Sequence, residues 1–510
     1  MNKISASIIT YNEEEHIIKC IQSVAKVADE IVVLDSNSTD NTVALAEKYG
    51  ARVFQRKFVG FTEQKNAAVS HCNYNFILSL DADEELSEEL IRAILLCKKD
   101  GEGKIFSFNR LNHFNRKPIK SCGWYPDKKI RLFHKDYARW VGGMVHEEVQ
   151  SNKPNEKIVH LKGDLLHYGF NNSNDLLNKM QKYATIYARE NAYKKKVNGL
   201  EIWIKTQAAF FKNFWLKKGF ADGYIGYLIS KANANGVHYK YAQLKEQNES
   251  LRCSLIITTY NRPEALQIVL ESALRQNKLP QEIIVADDGS GFETKELLAQ
   301  YSNRIIPIKH IWQEDQGFRA SHARNKAIAA AQEMYIILID GDMVLPKTFI
   351  QDHLSASKKS RLVQGSRVLL SEHLSIKTIK NMQTPGFFSL GLKNRKNRIH
   401  SKVLSKIFSY PNENIFKVRS ANISFWKSDA IAVNGFNEDF NGWGREDSEF
   451  VQRILNNGIQ KFHPKFMASA YHLYHKESSR KQLPENEKIL QETVSNKLLK
   501  CANGLNKYLN

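Results

Sequence analysis

An internal repeat constrains the fold of this chain more than any other feature. The run Ser7-Ile-Ile-Thr10-Tyr11-Asn12-Glu13-Glu14 returns as Ser254-Leu-Ile-Ile-Thr-Thr259-Tyr260-Asn261. Each copy continues to a second apolar run ending in acid, Val32-Val33-Leu34-Asp35 and Ile284-Val285-Ala286-Asp287-Asp288. Each then has a basic residue followed by Asn, Lys65-Asn66 and Arg324-Asn325, and a third apolar run ending in Asp-x-Asp, Asp81-Ala-Asp83 and Asp340-Gly-Asp342. Asn66 to Asp81 and Asn325 to Asp340 both span fifteen positions. The same elements in the same order, twice, mean a duplicated domain.

The 510 residues suit two domains of about 250 each. The first copy reads as strand Ser5–Thr10, helix 13–27, strand Glu30–Asp35, helix 40–49, strand Arg52–Phe54, helix 63–71 and strand Phe76–Asp81. The second reads as Cys253–Thr258, 263–275, Glu282–Asp287, 293–301, Ile305–Trp312, 320–331 and Tyr335–Asp340. Alternating strands and helices predict an α/β fold, a mainly parallel sheet flanked by helices in each domain. Ligands of such sheets bind at the carboxyl ends of strands, where Thr10, Asp35 and Asp81 fall. The predicted division is a first domain over 1–170, a helical segment and linker over 171–250, and a second domain over 251–500. Residues 391–406 are basic and read as an exposed loop.

Paired carboxylates just beyond a buried strand can meet one divalent cation and a ribose. Mn²⁺ or Mg²⁺, which prefer oxygen ligands, would neutralise a diphosphate there. Asp83 and Asp342 are the expected metal ligands, and Asp81 and Asp340 the expected donor contacts. The alternative is a polar loop, and repetition after two apolar strands argues against it. Lys65 and Arg324 either approach the diphosphate or lie on a solvated helix face. Trp124 and Trp140 either stack on a sugar face or pack in a core. Gly442-Trp443-Gly-Arg-Glu446-Asp447 offers an aromatic platform and two adjacent acids, the equipment for deprotonating an acceptor hydroxyl.

Both halves resemble inverting family 2 glycosyltransferases of the GT-A fold. The first resembles lipopolysaccharide-core glucosyltransferases that act on heptose, through Asp81-Ala-Asp83-Glu84, Arg131-Leu-Phe133, Val145-His146-Glu147 and Gly219-Phe-Ala-Asp-Gly223. The second resembles chondroitin-polymerase and galactosyltransferase domains, through Asn434-Gly-Phe-Asn-Glu-Asp-Phe-Asn-Gly-Trp443-Gly-Arg-Glu446-Asp447. The resemblance implies UDP-sugar donors. Asp35, Asp287 and Asp288 would read uracil and ribose, and Thr10 and Thr259 (or Thr258) would give the base backbone contacts. It implies Asp447 as catalytic base and Glu446 as an acceptor ligand, Glu147 as the candidate base of the first half, and Trp443 and Trp124 at acceptors. It implies a metal-binding His after the acids: His472 rather than His475. His167-Tyr168 could approach the first diphosphate.

The net charge is +20, and thirteen Lys/Arg against three Asp/Glu lie between Lys179 and Lys245. No RNA-binding, zinc-finger or helix-turn-helix signature accompanies this patch, so nucleic acid is not expected. Its interleaved aromatics over 202–229 fit a helix lying in an anionic membrane interface or a helical cover on the first sheet. Six scattered cysteines without CxxC suit a reducing cytosol. No spanning helix or signal region is expected. The reading is a bifunctional hexosyltransferase using UDP-sugars and a lipid-linked oligosaccharide acceptor, peripheral on the cytoplasmic face of the inner membrane. A capsule polymerase alternating two sugars is the second reading, and a catalytically dead carbohydrate-binding scaffold the third.

Overall fold

The computed structural model describes residues 3–100, 104–142, 147–153, 156–302, 304–476 and 481–509. The chain divides into two compact units, Met1–Ala192 with Lys196–Glu246, and Tyr193–Lys195 with Gln247–Asn510. The helices Ser173–Asn191 and Gly199–Phe211, and most of Gly223–Glu249, therefore belong to the first unit.

In the first unit the sheet runs in space as Arg52–Gln55, Glu30–Asp35, Ile4–Thr10, Phe76–Asp81, Asp127–His134, Ile105–Phe114, Ile158–His167 and Glu84–Leu86. The first four strands are parallel, and Asp127–His134 enters antiparallel beside Phe76–Asp81. The second unit repeats this: Ile308–Trp312, Glu282–Asp287, Cys253–Thr259 and Tyr335–Asp340 are parallel, and Asn422–Trp426 enters antiparallel. The central strand Ile4–Thr10 is buried at every position, and Glu282–Asp287 likewise. That double burial explains why these strands read as unbroken apolar runs rather than alternating ones. The α/β architecture expected from the repeat is the one both units have.

Three local expectations differ. The helix expected over 13–27 covers Ile17–Val24; ahead of it the amides of Glu13 and Glu14 donate to the Thr42 hydroxyl (2.8 Å) and the Asp40 carboxylate (3.2 Å). The strand expected from Ile305 starts at Ile308, and Ile305 is fully exposed. Residues 391–406 are largely exposed, as expected, but are more ordered than a loop. They hold a short strand, a 3₁₀ turn at Arg395–Arg398 and the start of the helix Lys402–Phe408, tied down by Asn397 donating to the Arg367 carbonyl at 2.8 Å.

Candidate active sites

Both strand-end turns are built alike. Thr10 is registered against Asp35, and Thr259 against Asp287. The amides of Ser38 and Ser290 donate to Asp35 and Asp287, each at 2.8 Å. The hydroxyls of the same serines accept from the amides of Asn12 (2.8 Å) and Asn261 (2.9 Å). Asn12 and Asn261 both take positive φ, 53° and 45°, a conformation Asn tolerates well. Asp35 and Asp287 are fully buried, and His310 adds a contact to Asp287 at 2.8 Å. These two carboxylates hold the turn itself. The neighbouring Asp288 accepts from Gln313 Nε2 (2.6 Å) and the Arg319 amide (2.7 Å). Burial raises its carboxyl above the usual range against those donors. Thr10 and Thr259 present buried carbonyls that accept from Ser36 and Asp288, at 2.9 and 3.1 Å.

The Asp-x-Asp motifs occupy equivalent registers. Ile9 pairs with Asp81, and Thr258 with Asp340. The residue after each motif then pairs antiparallel with a histidine, Glu84 with His167 and Met343 with His472. Two histidines distant in sequence thus hold the same place in the two units. His167 Nε2 lies 3.2 Å from Asp83, while His472 and His475 lie 3.6 and 3.5 Å from Asp342. Among the described residues, Asp342, His472 and His475 form a three-ligand group whose donor atoms all lie within 4.8 Å of one another. Asp342 Oδ1 is buried without a hydrogen-bond partner, and Arg262 pairs with Oδ2 at 2.9 Å. Burial, joined by Arg367 and His475, pushes the His472 imidazole down to about 4, so it is neutral near pH 7 and free to ligate. An oxygen and two imidazole nitrogens suit a first-row divalent ion, so the residues fit the expected cation.

The first unit differs in charge. Asp81 meets Lys65 at 3.0 Å and Arg131 at 3.2 Å, and Arg131 also meets Glu84 at 2.8 Å. Burial works to raise Asp81, and the Lys65 and Arg131 charges outweigh it, holding it well below the usual carboxylate range. Asp83 is likewise lowered: burial opposes and His167 prevails. Asp340 and Asp342 instead sit above the usual range, because burial outweighs Arg324 at the first and His475 and Arg262 at the second. Glu13 is a member of the first site that the motifs did not single out. Burial, then the charges of Asp83, Asp40 and Asp81, push its carboxyl up to about 8.

Glu446 and Asp447 open the helix Glu446–Asn456. Glu446 is buried, accepting from the Gly444 amide at 3.1 Å and Arg324 at 3.4 Å. Burial and the neighbouring Asp447 push it up to about 7. Asp447 is less buried and accepts from the amides of Ser420 (3.1 Å) and Ser448 (2.8 Å). Trp443 is 36% exposed between Gly442 (φ 70°) and Gly444 (φ 113°).

Other expected residues land elsewhere. Lys65 is not on a solvated helix face: it is 1% exposed, pairing with Asp81 and with Glu147 at 3.3 Å. Arg324 is buried between Asp340 and Glu446. Both charges are already paired, each with the first aspartate of its Asp-x-Asp and with a second acid. Trp124 stacks on Phe170 at 4.8 Å against an apolar cluster with Phe114, Ile119 and Ile229, which is core packing rather than an acceptor platform. Trp140 is buried too, its indole donating to Ser79 at 3.2 Å. Val145-His146 lies outside the described residues; Glu147 begins a strand paired with Ala138–Gly142. The segment 199–227 leaves Trp203, Ile204, Phe211, Trp215, Phe220 and Tyr224 each at least half exposed, with Lys212, Lys217 and Lys218 also exposed. Among the described residues no helix is long and apolar enough to cross a membrane.

Comparison with known proteins agrees with the repeat. The family described as glycosyl transferase family 2 matches residues 5–156 and again 254–406, together more than half of the chain. The family described as the N-terminal domain of galactosyltransferase matches residues 400–476. An uncharacterized glycosyltransferase of Rickettsia felis is 33% identical over 256 residues, 48% of this chain and 90% of that protein. The hyaluronan synthase of Pasteurella multocida and the chondroitin synthase of Escherichia coli are each 27% identical, covering 42% and 43% of this chain and 24% and 34% of their own lengths.

Proposed function

The chain belongs to glycosyltransferase family 2, and from that premise we propose that it is a bifunctional, metal-dependent, inverting hexosyltransferase with one active site per unit, each drawing on a UDP-sugar. The observation that carries the proposal is the matched register of two complete strand-end sites, down to His167 and His472 opposite the residues after each Asp-x-Asp. Mn²⁺ or Mg²⁺, held by Asp342 and His472 with His475, would neutralise the leaving diphosphate in the second site. Asp83 and His167 are the corresponding pair in the first.

The chain's own groups do the rest. At the second site the less buried Asp447 takes the proton from an acceptor hydroxyl. That oxygen bonds to the sugar's anomeric carbon from the face opposite the diphosphate, and the bond from that carbon to the diphosphate oxygen breaks. Glu446 and Trp443 hold the acceptor sugar. Glu147 is the base of the first site. The acceptor is a growing lipooligosaccharide core on the cytoplasmic face of the inner membrane. Exposed aromatics interleaved with lysines over 199–227 support docking on an anionic lipid surface. Incubation with a panel of UDP-hexoses and truncated lipooligosaccharide acceptors, read by mass spectrometry, tests this: two successive single-hexose additions are expected. Similarity to the hyaluronan and chondroitin synthases favours a second reading, a polymerase alternating two sugars. A ladder of many additions in the same assay would decide for it, and no transfer from any donor would reject both.

A further inference from the structure

Each unit carries the same clasp beside its Asp-x-Asp, and it involves the buried cation that pairs with the first aspartate of the motif. On the helix Phe61–Ser70, Asn66 grips the backbone of Trp140 from both sides, Nδ2 donating to its carbonyl at 3.0 Å and Oδ1 accepting from its amide at 3.3 Å. On the helix Ala320–Ala330, Asn325 grips Phe436 in the same way at 2.7 and 2.8 Å. The preceding cation lies over the ring so held: Lys65 Nζ is 4.3 Å from the Trp140 centroid, and the Arg324 guanidinium carbon 5.3 Å from that of Phe436. The same cation then bridges two acids. Lys65 joins Asp81 (3.0 Å) to Glu147 (3.3 Å), and Arg324 joins Asp340 (3.3 Å) to Glu446 (3.4 Å).

Local sequence does not impose this agreement. Glu147 follows Trp140 by seven residues and starts a strand, while Glu446 follows Phe436 by ten and starts a helix. The chain past each Asp-x-Asp differs, yet an acid returns to the same cation. Gly435 shows how close the second clasp is: at φ 67°, an added Cβ would stand 2.3 Å from Asn325 Oδ1. A cation gripped by a ring and two carboxylates has little freedom, and two partly buried carboxylates paired to one cation share its charge.

We propose that Lys65 and Arg324 are positioning residues rather than diphosphate ligands, each fixing an acceptor-side acid, Glu147 or Glu446, against the first aspartate of the donor-side motif. Glu147 then stands toward its cation as Glu446 does in the second unit. The inference rests on the two-site reading above and says which residues give each site its geometry. A misplaced acid slows the reacting step while donor binding persists, whereas a lost diphosphate ligand weakens donor binding.

Steady-state kinetics of the first transfer, on the full chain with its own acceptor, separate the two. Lys65→Met should lower kcat by about 10²-fold with the donor KM changed less than about threefold. Lys65→Arg should recover most of the loss, and adding Glu147→Gln to Lys65→Met should cost little more, because both remove one device. A donor KM that rises while kcat holds would overturn the proposal in favour of a diphosphate contact. So would losses from Lys65→Met and Glu147→Gln that simply multiply. The Lys65→Arg comparison keeps the test decisive if the Met variant folds poorly, since unrestored turnover in a folded Arg variant also overturns it. A wild-type chain that makes no first product would bring down the two-site reading and the clasp with it; a wild-type chain that transfers normally isolates failure to the clasp.

Discussion

Asp447 is the more accessible of two adjacent acids, and both of its oxygens accept from backbone amides. Those amides orient it without neutralising it, which suits a base. Asp447→Asn should cut second-site turnover by a factor of about 10²–10⁴ with donor binding intact; a far larger loss from Glu446→Gln would exchange the two roles. Glu446 gives a pH signature of its own. Its carboxyl is raised from 4.5 to about 7, so below that it is protonated and neutral, a weaker acceptor for a sugar hydroxyl than the carboxylate. Second-site turnover should therefore climb as pH rises through about 7, and the climb should vanish from the pH–rate profile of Glu446→Gln. The carboxylate positions were legible in sequence because Asp-x-Asp after an apolar strand is a local pattern. The burial of Lys65 and Arg324 was not: a cation before Asn on a helix looks the same whether it faces solvent or a site, and the second acid that claims it comes from 82 or 122 positions later. Trp124 shows the same limit, since an aromatic near a site and one packed under it share a sequence.

At the scale of elements, the apolar runs ending in acid identified the central parallel strands because those strands are buried on both faces. What escaped was whatever depended on pairing between distant segments. The register that sets His167 opposite Glu84 and His472 opposite Met343 comes from strands that meet only in the fold. The region 391–406 looked irregular because its order comes from contacts such as Asn397 with the Arg367 carbonyl, not from its own periodicity. The helix Gly199–Phe211 buries Ile202 and turns Leu200, Trp203, Ile204 and Phe211 outward. An outward apolar stripe continued by Trp215 and flanked by exposed lysines fits an interfacial helix better than a solvated one. Each lysine near an anionic surface contributes about 1 kcal/mol, screened by salt. Co-sedimentation with vesicles containing phosphatidylglycerol should weaken at high salt and on changing Lys212, Lys217 and Lys218 to Glu. Binding indifferent to both would leave the stripe to a protein partner.

For the whole molecule, duplication makes independence the central question. Each unit has its own sheet, its own strand-end turn and its own Asp-x-Asp, and every ion pair described at either site is internal to one unit. Asp83→Ala should therefore abolish one transfer and spare the other, and Asp342→Ala the reverse, each measured with its own acceptor supplied. Loss of both activities from either single change, in a chain whose melting curve is unaltered, would refute two separate sites. The two units also differ in how their acids are compensated, and metal removal should show it. In the second, Asp340 and Asp342 are raised by burial and the Asp342–His472–His475 group lacks a cation sufficient to offset it. In the first, Lys65 and Arg131 already hold Asp81 low, and His167 holds Asp83 low. Both transfers should stop in EDTA and return with Mn²⁺ or Mg²⁺, because a diphosphate brought beside these acids adds negative charge that a divalent cation offsets. The second site, with two imidazoles in its ligand group, should recover at the lower Mn²⁺ concentration, since nitrogen ligands favour Mn²⁺ over Mg²⁺. Titrating Mn²⁺ into the metal-stripped protein, with each product followed separately, measures this directly. Full turnover of the first transfer in EDTA would mean that Lys65 and Arg131 neutralise the leaving diphosphate after all.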